Sequence, residues 1–302
     1  MRKIFRYPII IVTAAALGIG VGVVSKKVFG PTEIDYGDFD FGALKVNAAE
    51  IVKKIDSYTG SADIIDNFTV GEVLNYSMEK FRTCENCCSF TFGAAETIVN
   101  QDIRGCLIKN GDKYFEESVS KSSMVSLANR MYQNGKDADV SLYHGKKGSV
   151  GISENSSSAE YSETNKENFT SNGYRETYGK TLDEMFIYLI SDQTITNSNI
   201  VDLDNGGYAI TVELDPDLST DGYKNQMYNI SGLDERPVFS SVKLIFTLDK
   251  DLVLKKLTID ENYTAKMMVN AKTHGNVNIY YFANEFVKIP ELNESVTYMK
   301  GE

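Results

Sequence analysis

Apolar residues recur at helical spacing in two stretches of the chain. In the first, they fit the i, i+3, i+4, i+8, i+11 pattern of one helical face and predict a helix over about 70–82: Val70, Val73, Leu74, Met78 and Phe81. Thr69 and Glu72 form a capping box at the start of this helix, in which each side chain accepts a hydrogen bond from the other residue's backbone N–H. A second capping box, Thr181 and Glu184, predicts another amphipathic helix with the apolar face Leu182, Met185, Phe186, Leu189 and Ile190.

Alternating apolar and polar positions predict strands in much of the remaining chain. Residues 90–98 alternate with the period of a half-buried strand. Asn110-Gly111 separates two further strand stretches and is a strong hairpin signal, because both residues tolerate positive φ. Three long strands are expected at about 238–248, 252–268 and 276–284, joined by turns at 249–251 and 273–275. Short connections join antiparallel neighbours. The pattern therefore predicts an α+β fold, with one large antiparallel sheet and two or three amphipathic helices on one face.

The first 27 residues have the pattern of a membrane segment. An uncharged run from Tyr7 to Ser25 lies between the basic residues Arg2, Lys3, Arg6, Lys26 and Lys27. As a helix, this run would extend about 28 Å, close to the ~30 Å hydrocarbon core of a bilayer. We expect residues 1–27 to be an anchor in the lipid bilayer through residues 7–25, and the protein to be a single-pass protein of the cell membrane. The alternative is a cleaved signal peptide, although no small-residue cleavage motif follows the run.

The rest of the chain divides by composition into a tether and a domain. Residues 28–44 are acidic, punctuated by glycine and without periodicity, which indicates a tether. Residues 45–302 are expected to fold as an extracytoplasmic α+β domain. Within it, residues 153–173 are polar and aperiodic, and indicate either a long exposed loop or a domain boundary. We interpret them as a loop, because neither flank alone has a complete set of elements.

Composition and motifs exclude several classes of function. The net charge is −11, so nucleic acid is not an expected partner, because phosphate affinity depends on basic side chains. The two histidines, His144 and His274, both precede glycine, which is typical of solvated turns. No hydroxyl–histidine–carboxylate set, metal-ligand set or phosphate-binding loop is evident. We therefore expect no catalytic residues, no metal and no cofactor, and we predict that the protein is not an enzyme.

Four cysteines are candidates for a disulfide, because disulfides are permitted outside the cytoplasm. They are Cys84, Cys87, Cys88 and Cys106. If the strands around 100–102 form a hairpin, Cys106 faces Glu96 and is far from Cys88. We expect one structural disulfide within or from the 84–88 cluster, and the alternative is four reduced thiols. A redox-active motif is disfavoured, because Cys84 and Cys87 follow a helix C-terminus and so lack the positive helix end that stabilises a thiolate.

The order of elements resembles that of the LolA/LppX-like envelope proteins. The stretches that carry the resemblance are TVGEVLNYSMEKF (69–81), IKNGDKYFEES (108–118) and VKLIFTLDKDLVLKKLTIDENYTAKM (242–267). The resemblance covers roughly residues 45–290 and is one of pattern, so it carries no functional residue over to this chain. It implies a curved, half-barrel sheet plugged by helices, with an apolar cavity between them. The chain departs from the usual lipoprotein form because no cysteine follows its apolar run.

Two functions are compatible with this sequence. The first is a membrane-anchored extracytoplasmic binding module for a lipid-like or other apolar ligand. Its expected lining residues lie on the two apolar helix faces: Leu74, Met78, Phe81, Met185, Phe186 and Leu189. The alternative is an envelope sensor or scaffold that acts through a protein partner by way of exposed strands. The same apolar faces could also form a closed core without any cavity.

Overall fold

The computed structural model describes residues 44–301 except 45, 61–62, 98–99, 124–125, 179, 232 and 268. Within that part of the chain, no helix is long and apolar enough to cross a membrane. The longest helix there, Val70–Thr83, has 14 residues, which extend only about 21 Å. This finding corrects the predicted transmembrane signal anchor and the single-pass localisation. The segment on which they rested, residues 7–25, lies outside the described residues, as does almost all of the predicted tether.

Helices and strands alternate in blocks along the chain. The helices are α1 (Ala48–Asp56), α2 (Ile64–Asn67), α3 (Val70–Thr83), α4 (Ser171–Tyr178), α5 (Pro216–Ser219) and α6 (Asp221–Ser231). The strands are β1 (Asn86–Glu96), β2 (Gln101–Asn110), β3 (Lys113–Lys121), β4 (Ser126–Asn134), β5 (Val140–His144), β6 (Gly151–Ile152), β7 (Ser156–Ser158), β8 (Lys166–Phe169), β9 (Ile195–Asp202), β10 (Tyr208–Leu214), β11 (Val238–Leu248), β12 (Leu254–Met267), β13 (Val269–Ala283) and β14 (Val296–Thr297).

One open antiparallel sheet of eleven strands dominates the described residues. Its order is β8-β5-β4-β3-β2-β1-β13-β12-β11-β10-β9, and β14, β7 and β6 form a separate small sheet. The sheet consists of two meanders that meet where β1 pairs with β13. The predicted α+β class with a large antiparallel sheet and few helices is confirmed. The segment predicted as a polar loop, residues 153–173, contains β7, β8 and the start of α4.

Local signals placed some turns correctly and others wrongly. The Asn110-Gly111 hairpin is confirmed, with Gly111 at a φ of 61°. The expected turn at 273–275 is wrong, because β13 continues through it and His274 pairs with Asn262 of β12. In the first hairpin, Ala95 pairs with Gln101, so Cys106 lies opposite Phe90 and not opposite Glu96. A strand continues through a glycine when its neighbours in the sheet supply the pairing, and sequence alone does not reveal those neighbours.

The two faces of the sheet are covered by different parts of the chain. Helices α1, α3 and α6 bury one face in the largest apolar cluster, which includes Leu74, Phe81, Leu244 and Ile279. On the opposite face, the C-terminal segment covers β1–β3, and Val296 and Tyr298 pack there against Phe90 and Phe115. The helices therefore lie on a single face, as the sequence predicts, and the candidate site lies on that face.

Candidate functional site

A cavity of about 630 Å³ lies among α3, α4, α5, α6 and the irregular segment 185–192, which we call the strap. Its apolar lining includes Met78, Phe186, Ile187, Leu189, Ile190 and Leu218. Its polar lining includes Asn75, Glu79, Arg82, Arg175, Lys180 and Glu184. The site is thus apolar at the strap and charged along its α3 and α4 sides.

The strap takes the place of the second predicted helix. The capping box of Thr181 and Glu184 is present, but it begins only a 3-10 helix, Leu182–Glu184. Met185 follows with a φ of 53°, in the left-handed region that non-glycine residues rarely adopt. The reason is topological. The chain leaves β8 at one edge of the sheet and enters β9 at the other, and ten strand spacings of about 4.8 Å separate these edges. An extended chain crosses that distance with fewer residues than a helix needs.

The far end of the strap is fixed at the N-terminus of α3. Asp192 accepts a hydrogen bond from the Gly71 backbone N–H (3.0 Å) and one from the Thr69 hydroxyl (2.6 Å). A Cβ atom at Gly71 would lie 2.6 Å from the Asp192 carboxylate oxygen, so glycine is required for this approach. A carboxylate at a helix N-terminus is also stabilised by the helix dipole. The predicted capping box of Thr69 and Glu72 is confirmed in the same turn.

Two hydrogen bonds hold the middle of the strap against the cavity walls. The Asn75 side chain of α3 donates to the Ile190 carbonyl oxygen at 2.8 Å. The Leu189 backbone N–H donates to the Ser219 carbonyl oxygen, at the end of α5, at 2.9 Å. The strap is thereby tied to both sides of the cavity, although it has no regular structure of its own.

A buried carboxyl group lies beneath the strap. Glu261 of β12 is fully buried, and it accepts hydrogen bonds from the hydroxyl groups of Tyr188, in the strap, and Tyr223, in α6. Burial raises the pKa of Glu261 to about 7, and the two tyrosine hydrogen bonds oppose that rise. Gly275 of β13 lies directly opposite, and a Cβ atom there would come within 3.1 Å of the carboxyl oxygen. Glu261 therefore connects two walls of the cavity through one buried group.

The six predicted lining residues lie in three different places. Met78, Phe186 and Leu189 line the cavity. Leu74 and Phe81 are buried in the core beneath α3 and do not line it. Met185 lies instead over a void of about 10 Å³ between the strap and the sheet. A one-face helical pattern does not distinguish a residue that fills the core from one that borders a cavity, which is why the sequence grouped the six together.

Two arginines at the cavity are held in ion pairs. Arg82 donates two hydrogen bonds to Glu79, at 2.7 and 2.6 Å, through its Nε and Nη2 atoms. The Arg175 guanidinium of α4 lies 3.1 Å from the Glu184 carboxylate. Bidentate arginine–carboxylate pairs have a fixed geometry. These pairs place polar groups at defined positions next to the apolar strap.

A second buried acid lies near the cavity. Lys180 lines the cavity but is 2% exposed, and its Nζ atom lies 3.4 Å from the Glu116 carboxylate of β3, which is also buried. Burial raises the pKa of Glu116 to about 7, and the charge of Lys180 opposes that rise. The sequence did not single out this pair, because Glu116 sits within a strand and Lys180 is 64 residues away along the chain.

The four cysteines are free thiols in the structure, so the expected disulfide within or from the 84–88 cluster is not formed there. Cys87 and Cys88 are consecutive residues of β1 and point to opposite faces of the sheet, each into a different apolar cluster. Cys106 shares the face of Cys88. Burial raises the pKa of the Cys87 and Cys88 thiols to about 12, and it also raises that of Cys106. These thiols are therefore protonated at neutral pH and poor nucleophiles.

Several residues of the site had no signal in the sequence. Asn75, Arg82 and Arg175 look like ordinary solvent-facing positions of helices, and α5 and α6 carry no strong apolar periodicity. Only the pairing order of the sheet brings these elements together. Among the described residues, no group of three or more histidine, cysteine or acidic side chains could hold a metal ion.

Comparisons with family profiles and with curated sequences were made for this chain. No family profile matches it, and no curated protein matches it in sequence. The resemblance to LolA/LppX-like proteins stays a prediction.

Proposed function

We propose that the protein binds an amphiphilic, lipid-like small molecule in the cavity between the strap and helices α3, α4 and α6. The observation that carries this proposal is the cavity itself. Its volume of about 630 Å³ falls within the roughly 300–1,000 Å³ typical of ligand pockets. An apolar part of the ligand would lie against Met78, Phe186 and Leu189, and would gain stability by leaving water.

The charged side of the cavity favours an amphiphile over a purely apolar ligand. The Arg82–Glu79 and Arg175–Glu184 pairs border the same space as the apolar strap. The bidentate Arg82–Glu79 pair holds its polar atoms in a fixed geometry, and Arg175 and Glu184 add exposed polar groups beside it. A polar head fits this side of the cavity better than a hydrocarbon does.

A blocking variant tests the proposal. Asn225 lines the cavity from α6 and is solvent-exposed, so Asn225→Trp narrows the cavity without disturbing the core. Asn134→Trp places the same side chain at an exposed position at the end of β4, and is the matched control. The full-length proteins are titrated with dansyl-undecanoate, with direct excitation of the dansyl group.

We expect saturable probe binding to the wild-type protein and to Asn134→Trp, and roughly tenfold weaker binding to Asn225→Trp. The two variants differ only in where the tryptophan is placed. Probe binding outside the cavity should therefore be equal in both. Equal affinity in all three proteins, or no saturable binding to any of them, would contradict the proposal.

A further inference from the structure

The two edges of the large sheet differ in how well they are protected. Strand β8, at one edge, has four residues, two of which are charged, and α4 packs beside it. Strand β9, at the other edge, has eight residues. Open edges present unpaired backbone N–H and C=O groups, and natural proteins shorten them, charge them or cover them to prevent unwanted pairing. Strand β8 has such protection.

Strand β9 lacks most of the usual protection. Its sequence, ITNSNIVD, contains no proline and no lysine, and its single charge, Asp202, lies at its last position. Residues 196–199 are exposed, and the Val201 side chain is 50% exposed. Pairing with β10 is regular from Asn197 to Asp202. Within the described residues, no strand pairs with the outer side of β9. This edge can therefore accept another strand.

The surroundings of this edge are acidic. The hairpin of β9 and β10, residues 195–214, has three acidic residues, Asp202, Asp204 and Glu213, and no lysine, arginine or histidine. Asp63 adds a further carboxylate at this side of the sheet, where it accepts a hydrogen bond from the Tyr208 hydroxyl at 2.6 Å. On β11, two strands in from the edge, Lys243 lies opposite Glu213 in the register. The charge at the edge itself is negative.

We propose that the β9 edge binds an extended basic segment of a partner protein, which adds to the sheet as a twelfth strand. Backbone hydrogen bonds supply the affinity in this mode of recognition, and side chains supply the selectivity. Lysine or arginine in the added strand complements the acidic hairpin. A second copy of this chain is a poorer occupant, because two acidic edges would face each other. This surface is separate from the cavity, so the inference does not depend on the proposed ligand.

A synthetic peptide of alternating valine and lysine, eight residues long, is a suitable probe. Added to the full-length protein, it should slow amide hydrogen exchange in β9, because those amides become paired. Binding should weaken as salt is raised, because the charged groups are exposed. A peptide of alternating valine and glutamate is the matched control and should not bind.

Opposite charges introduced at one position of the edge make the test specific. Val201→Lys should weaken binding of the valine–lysine peptide by roughly tenfold, whereas Val201→Glu should not weaken it. Both substitutions are made at a half-exposed position, so folding is preserved in each. The proposal is overturned by equal affinity of the two variants, by unchanged exchange in β9, or by self-association of the protein that protects β9 without peptide.

Discussion

At the scale of single residues, the most informative group is the buried carboxyl of Glu261. Its pKa in the folded protein is about 7, above its ordinary value of 4.5. The folded state therefore binds the proton more tightly than the unfolded state does. The stability that results is present below about pH 4.5 and is lost as the pH rises to about 7. We predict that the wild-type free energy of unfolding falls over this interval, by up to about 3 kcal/mol from this group.

Substitution separates the contribution of Glu261 from that of Glu116, whose pKa is raised to a similar value. Glu261→Gln keeps the shape of the side chain but cannot ionise, so its unfolding free energy should depend less on pH. The double variant with Glu116→Gln should depend on pH least of all. Denaturant titrations at a series of pH values measure this effect. Parallel curves for the wild-type protein and Glu261→Gln would show that the buried carboxyl does not titrate in this range.

Gly71 is a second position where one atom decides the local structure. We predict that Gly71→Ala lowers the free energy of unfolding by about 1–3 kcal/mol, because the added Cβ would displace Asp192 from the start of α3. Chemical denaturation measures the loss. Gly301→Ala is the control, because its Cβ would make only ordinary contact, at 3.4 Å, with the Tyr280 ring. An equal effect of the two substitutions would rule out the proposed clash.

At the scale of elements, the strap depends on hydrogen bonds from its neighbours. We predict that Asn75→Leu destabilises the protein by about 1 kcal/mol and speeds amide hydrogen exchange in residues 186–192, because the bond to the Ile190 carbonyl is lost. Asn67→Ala removes a comparable bond, from the Asn67 side chain to the Asp63 carbonyl, within α2. That control should leave exchange in the strap unchanged. Unaltered exchange in Asn75→Leu would mean that packing alone holds the strap.

The C-terminal segment is held to the opposite face by a buried arginine. Arg130 of β4 is fully buried, pairs with Glu117 at 2.5 Å, and donates to three carbonyl oxygens of that segment, those of Glu291, Leu292 and Glu294. We predict that Arg130→Met costs about 3–5 kcal/mol, because it removes the only cation paired with the buried Glu117 carboxylate among the described residues.

The double variant Arg130→Met/Glu117→Leu should recover part of that loss, since it removes both charges. Thermal or chemical denaturation of the single and double variants measures both effects. A double variant less stable than Arg130→Met would contradict the role assigned to the buried pair.

Elements with strong local signals were predictable from the sequence, and the strap was not. Helix α3 follows its capping box and its one-face pattern closely. At residues 181–190 a capping box of the same kind is present, yet the chain turns away at Met185, because it has to cross the sheet to reach β9. Apolar spacing in the strap suits a helix and also suits a chain that packs on both sides, so spacing alone could not decide between them.

At the scale of the whole molecule, the site results from the order of strands. The two meanders meet at β1 and β13, which places β8 and β9 at opposite edges. The connection between those edges must run over the helical face, and it forms the cavity against α3 and α6. Sequence patterns predicted the antiparallel meanders, because short turns specify neighbours. They could not predict the pairing of β1 with β13, whose partners are nearly two hundred residues apart, as Cys87 and Ala283 show.

We propose that the cavity of about 630 Å³ holds an amphiphile, and the whole function depends on that occupant. The most direct measurement is native mass spectrometry of the full-length protein purified from its own cells. We predict a bound species of lipid-like mass on the wild-type protein and on Asn134→Trp, and its loss from Asn225→Trp. A wild-type protein that carries no such mass, and takes up none when incubated with lysophospholipid or fatty acid, would contradict it.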